Sequence, residues 1–298
     1  MLANVFGERL PPSLWYPANE PDLTTRLISL PSGERVRLVE GGPPDAPEVL
    51  MVHGWGCSAY SFRKLMRPLA VAGYRVLAID LRGHGASDKP SDVLLYRAES
   101  MAEFVVAVMD TLGLERAAVV AHSLGGGIMI DVASRHPGRI SCLSLIAPVG
   151  LAPVRGVGLA RTLTPLAAAP LVPYAMPRWS IPWVLRAVYG PLGEFKRSEV
   201  DQYWAPTQDP AFAVALRTLL HNYRFDARSD DELRRIGVPT TVLLGGLDVL
   251  VRSRQSARRA ETIPGWRART IERAGHVLVE EVPEEVLVDV LPLLAAHC

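Results

Sequence analysis

Residues 119–127 read VVAHSLGGG. Ser123 stands between an apolar run and a row of glycines, with Gly125 two places after it and Ala121 two places before. The run AAVVAH, 117–122, reads as a strand buried on both faces, and the continuation as the start of a helix. A strand-to-helix turn this sharp forces its central residue into a strained backbone conformation and leaves room only for small neighbours two places away. Ala121 and Gly125 meet that demand, because alanine adds one methyl group where a branched side chain would not fit. The stretch therefore reads as G-x-S-x-G with its first glycine conservatively replaced. Gly126 and Gly127 are expected to let the helix pack closely against the sheet.

Further apolar runs repeat the pattern on either side. EVLMVHG, YRVLAID, SCLSLIAP and, much later, TTVLLGG read as strands buried on both faces. LTTRLISL and ERVRLVEGG mix polar and apolar residues and read as two strands at a sheet edge. Between them, Met101, Phe104, Val105, Val108, Met109 and Leu112 recur at three- and four-residue steps, one face of a helix closed by Gly113. Such alternation predicts an α/β fold, a mostly parallel sheet with helices on both faces. The pattern breaks at 149–234, a proline-rich region that carries most of the large aromatics and no buried strand. It reads as a helical lid inserted into a core formed by 1–148 and 235–298.

The 298 residues carry a net charge of +1, with 21% charged and 49% apolar side chains. That balance gives no reason to expect nucleic acid or an acidic membrane as partner. No apolar run is long enough to span a bilayer. The amino terminus MLANVFGERLPPSLWYP lacks the features of a secretory leader. Cys57, Cys142 and Cys298 match neither a disulfide framework nor a zinc site, so the expectation is free thiols and a cytoplasmic location.

Three features along the chain give Ser123 chemical partners. HGWG, 53–56, ends a strand with a loop whose backbone N–H groups can face the serine; those of Trp55 and of Leu124 would form an oxyanion hole. Asp248, in TTVLLGGLDVLV, follows a buried strand and a glycine pair, where a carboxylate can accept the N–H of a histidine. His276, in IERAGHVLVEEVPEE, sits on a loop before the last helix and is the candidate base. His53 and His122 read as strand-end residues, and His84 as a loop residue. His53, Trp179, Trp183 and Val277 are candidates to line a substrate pocket.

At these residues the chain resembles the α/β-hydrolase superfamily. VHGWGCSAYSF, DLRGHGASDKP, AHSLGGG, LLGGLDVLV and AGHVLVEEVPEE match in the family's order of serine, acid and histidine. The resemblance covers 23–148 and 235–298. It implies the α/β-hydrolase fold with a helical lid, and a serine hydrolase of the carboxylesterase kind, needing no metal or cofactor. The expected partner is a small-molecule ester with an apolar acyl or aromatic group, and the expected assembly a monomer or homodimer. Haloalkane dehalogenases and epoxide hydrolases of this branch use an aspartate nucleophile, whereas this chain has Ser123. Carbon–carbon bond hydrolases often carry tryptophan after the catalytic histidine, where this chain has Val277. Carbon–carbon cleavage, peracid formation, acyl transfer and a non-enzymatic ligand receptor on the same fold remain alternatives.

Overall fold

The computed structural model describes residues 10–165, 167 and 177–298. The amino-terminal reading at 1–9, and the part of the helical region at 166 and 168–176, lie outside the described residues.

Eight strands form one sheet: β1 (Leu23–Ser29), β2 (Arg35–Gly41), β3 (Glu48–Val52), β4 (Arg75–Ile79), β5 (Ala117–His122), β6 (Ile140–Ile146), β7 (Thr240–Gly245) and β8 (Trp266–Ile271). Their order is β1-β2-β4-β3-β5-β6-β7-β8. The pairs β1–β2 and β2–β4 are antiparallel and the others parallel. β1 and β8 are the two edge strands, so of the first two strands only β1 lies at an edge. β2 has a neighbour on either side, and Val36, Leu38 and Val39 are fully buried, so the mixed pattern of ERVRLVEGG does not mark an edge.

Helices α1 (Arg63–Val71), α2 (Ala98–Thr111) and α3 (Leu124–Arg135) connect the first strands of the parallel part. The two sheet faces bury separate cores. On one, Leu50, Val52, Val119 and Ala121 pack with Phe104 and Val105 of α2 and Ile128 of α3. On the other, Val49, Met51, Ala118 and Val120 pack with Leu65 and Met66 of α1 and with Val286, Val290 and Leu294 near the carboxyl terminus. Side chains alternate across a strand, so every residue of β5 is covered from one side or the other.

Between β6 and β7 the described residues contain helices and no strand: α4 (Val157–Leu163), α5 (Ile181–Val188), α6 (Arg197–Trp204), α7 (Pro210–Asn222) and α8 (Asp230–Arg234). This β6–β7 segment is fastened to the sheet domain at its base. Arg228 N–H donates to Gly150 O at 2.7 Å, which draws the two ends of the segment together. The Arg228 guanidinium grips Asp131 of α3 through Nε to Oδ1 and Nη2 to Oδ2, each 2.7 Å. Beyond β7 come α9 (Ser253–Ala260), β8, the short turn α10 (Leu278–Glu281) and α11 (Pro283–His297). Pro283 opens α11 at a position where the missing N–H has no intrahelical partner to lose.

Candidate active site

Ser123 sits at the carboxyl end of β5, the strand near the middle of the sheet, and caps α3. Its backbone has φ 53° and ψ −115°, a conformation that non-glycine residues avoid at a cost of about 1–3 kcal/mol. The surroundings hold it there. Its N–H donates to Ile146 O at 2.9 Å, and its carbonyl accepts from Gly127 N at 3.2 Å and Val149 N at 3.0 Å. Gly125 has to be glycine because a Cβ there would collide with the carbonyl oxygens of Val52 and His53 at the end of β3. A Cβ on Gly126 would meet Pro148, and one on Gly127 would meet Val149 and the Tyr223 hydroxyl. The glycine row thus brings α3 down onto the strand ends.

Two distant loops reach the serine. His276 Nε2 lies 3.0 Å from Ser123 Oγ, and His276 Nδ1 lies 2.7 Å from Asp248 Oδ2. An ionised carboxylate only accepts, so Nδ1 carries the ring proton and Nε2 is left to accept from the serine hydroxyl. The other Asp248 oxygen, Oδ1, accepts from Leu250 N at 2.7 Å and Val251 N at 2.8 Å. Burial alone would raise the Asp248 carboxyl. The bond from His276 and those two backbone N–H groups outweigh it and hold the group below its ordinary range. Ser123, Asp248 and His276 are all at least nine-tenths buried.

The acid and base loops also touch each other. Leu247 N–H donates to Ala274 O at 3.0 Å, and Gly245 lies so close to Gly275 O that a Cβ would not fit. The β6–β7 segment reaches the acid as well: Arg155 Nη1 donates to Asp248 O at 2.9 Å and to Val251 O at 3.0 Å.

Leu124 directly follows Ser123, and Trp55 directly follows Gly54 on the loop after β3. Leu124 is the first residue of α3, so its N–H has no intrahelical acceptor and lies at the positive end of the helix dipole. Gly54 packs against Ser123, with an added Cβ only 3.0 Å from the serine Cβ, which sets the Trp55 loop beside the nucleophile turn. The Trp55 indole N–H donates to Leu216 O of α7 at 3.1 Å, tying that loop to the β6–β7 segment.

Three other histidines, His53, His84 and His122, are buried struts. His53 is fully buried; its Nε2 accepts from Leu81 N at 3.0 Å and its Nδ1 donates to Gly54 O at 2.7 Å. It joins the β3 and β4 loops and faces no open pocket, contrary to its place among the pocket candidates. His122 Nε2 donates to His276 O at 3.0 Å, and burial drives its pKa down to about 3. Burial does the same to His84, and also lowers His53. All three stay neutral in the folded protein at neutral pH. Val277 is buried at the start of α10, to the same degree as His276 before it. Trp179 and Trp183 lie about two-thirds exposed, on a 3-10 turn and on α5, and no hydrogen bond or ring contact joins them to Ser123 or His276 among the described residues.

Sequence reasoning missed a set of buried polar residues near His276. Glu280 is fully buried and accepts from the Tyr189 hydroxyl at 2.8 Å, from the Tyr203 hydroxyl and from Arg63. Glu281 accepts two backbone N–H groups. The one available signal was a pair of adjacent acids directly after an apolar run. Asp80 is a further buried anchor, accepting from Ala59 N and Ala86 N at 2.8 Å each.

Similar proteins carry the same architecture. Epoxide hydrolase A of Mycobacterium tuberculosis is 36% identical over 124 residues, which make up 42% of this chain and 38% of that protein. The shared part is thus under two-fifths of that relative. A membrane phospholipase A of known structure superposes with a TM-score of 0.77 at 26% identity, covering 92% of this chain and 86% of that one. A carboxylesterase from Bacillus subtilis superposes with a TM-score of 0.75 at 20% identity, covering 94% of each chain. Among the described residues no helix is long and apolar enough to cross a membrane. A family profile for the alpha/beta hydrolase fold matches residues 47–283, most of the chain: the chain belongs to the alpha/beta hydrolase fold family.

Proposed function

We propose that the protein is a serine hydrolase that cleaves carboxylic esters of apolar or aromatic substrates through an acyl-enzyme. The observation that carries this reading is the continuous relay from Ser123 Oγ through His276 to Asp248, with links of 3.0 and 2.7 Å. A serine hydroxyl is a poor nucleophile until a neighbouring base takes its proton. As Oγ bonds to the ester carbonyl carbon, its proton passes to His276 Nε2, and Asp248 stabilises the imidazolium. The carbonyl oxygen, now negative, is held by the N–H groups of Leu124 and Trp55. One such donor contributes about 3 kcal/mol to the barrier reduction. The tetrahedral centre collapses, the carbon–oxygen bond to the alcohol breaks, and Nε2–H protonates the leaving oxygen. Water then attacks the acyl carbon with His276 again as base, releasing the acid and restoring Ser123. No cofactor enters the reaction.

Leu159, Leu163, Trp179 and Trp183 are exposed on the β6–β7 segment, residues 149–234, which serves in this reading as a lid over the strand ends. Their apolar surface supports an apolar acyl or aromatic substrate. The epoxide-hydrolase relative does not displace the reading, since opening an epoxide by carboxylate attack needs an aspartate where Ser123 stands.

A fluorophosphonate probe tests the assignment. The expected result is one label per chain, absent in Ser123→Ala and at least about a hundredfold slower in His276→Ala. A well-folded protein that takes up no label would instead point to a ligand receptor on this fold.

A further inference from the structure

His276 is held by more than Asp248. Its loop presses, backbone to backbone, on the turn that ends α5. His276 N–H donates to Val188 O at 2.8 Å. A Cβ on Gly275 would collide with Gly190 N and the Tyr189 carbonyl carbon, and one on Gly190 would lie 2.6 Å from Gly275 N. Behind this contact stands Glu281, 8% exposed. One of its oxygens accepts from Gly275 N at 2.8 Å and the other from Gly190 N at 2.6 Å. A carboxylate suits that place because each oxygen accepts, so two converging N–H donors are satisfied at once. Glu281 is itself fixed to the base loop, its N–H donating to Val277 O at 3.0 Å.

We propose that Glu281 is a positioning residue for the catalytic base. It clamps Gly275, the residue before His276, to Gly190 of the β6–β7 segment, and so sets the imidazole between Asp248 and Ser123. The inference rests on His276 being the base. Half of the seat belongs to the β6–β7 segment, through Val188 O and Gly190 N. Arg155, on the same segment, braces the carbonyls of Asp248 and Val251. The helical segment therefore takes part in aligning the acid and base as well as covering the strand ends. Its neighbour Glu280 has a different task, tying Tyr189, Tyr203 and Arg63 together without touching the backbone before His276.

Glu281→Gln tests the clamp. Glutamine keeps the shape but has one acceptor oxygen, so its NH2 must face one of the two N–H groups and push the loop or the turn away. With p-nitrophenyl butyrate, and turnover expressed per site titrated by fluorophosphonate, kcat should fall about 10- to 100-fold while KM changes less than about twofold. Gly190→Ala disturbs the same contact from the other side and should reproduce the pattern, which covers a Glu281→Gln protein that fails to fold. In a His276→Ala background, where no base remains to misplace, Glu281→Gln should change the residual rate less than about twofold. An unchanged kcat per titrated site in the single variants would overturn the proposal. So would an equal fractional loss in the His276→Ala background, which indicates a general structural role. If His276→Ala alone keeps wild-type turnover, the assignment of the base is wrong, a result separable from failure of the clamp.

Discussion

Asp248→Asn is expected to lower kcat about 10⁴-fold on a p-nitrophenyl ester while leaving the fold and KM nearly intact. The reason lies in the two N–H groups of Leu250 and Val251, which donate to Oδ1. They orient an asparagine so that its carbonyl oxygen stays with them and its NH2 points at His276 Nδ1. A donor at that position forces the ring proton from Nδ1 to Nε2. The imidazole then presents N–H rather than a lone pair to Ser123 Oγ and cannot take the hydroxyl proton. Steady-state kinetics on the purified variant check this. A loss below about tenfold would mean that Asp248 does not set the tautomer of the base.

Arg228→Met is expected to cost about 3–5 kcal/mol of stability. Every N–H of the Arg228 guanidinium is engaged: two with Asp131, one with the Tyr223 hydroxyl, and one each with Arg224 O and Asp226 O. Arg228 is 1% and Asp131 7% exposed. Methionine fills much of the space but leaves the Asp131 carboxylate buried without its cation, and an unpaired buried charge is more damaging than the loss of both partners. Adding Asp131→Leu to Arg228→Met should therefore recover a large part of the loss. Urea unfolding of the two variants measures the difference. A single-variant cost under about 1 kcal/mol would show that solvent reaches Asp131 and that the pair contributes little.

The sequence was legible where local stereochemistry decides the structure. The small residues around Ser123 are dictated by one tight turn, and the apolar runs by burial on both faces of a parallel sheet, so the positions of β3 to β7 could be read without a structure. Ser123, Asp248 and His276 were legible for the same reason, each lying just past a strand end. The misreadings have a common cause. His53 stands at the end of β3 beside the nucleophile turn, but whether a strand-end side chain turns toward a pocket or into the core depends on the loops packed over it. β2 was misplaced because its polar residues face ion-pair partners rather than solvent: Glu40 meets Arg26 and Arg75, and Arg37 meets Asp80. Glu281, Arg155 and the Arg228–Asp131 pair were illegible because their partners are backbone groups or side chains about a hundred residues away or lie on the turn of another element. No periodicity marks such contacts.

The central claim is that Ser123 carries the acyl group during turnover. Acid quenching during the first turnovers of a slowly deacylated p-nitrophenyl ester, followed by intact-mass measurement and peptide mapping, tests it most directly. The predicted result is a gain of one acyl group on the peptide that contains Ser123, and none in Ser123→Ala. Turnover that proceeds with no acyl group on Ser123, or with the adduct on another residue, would contradict the account.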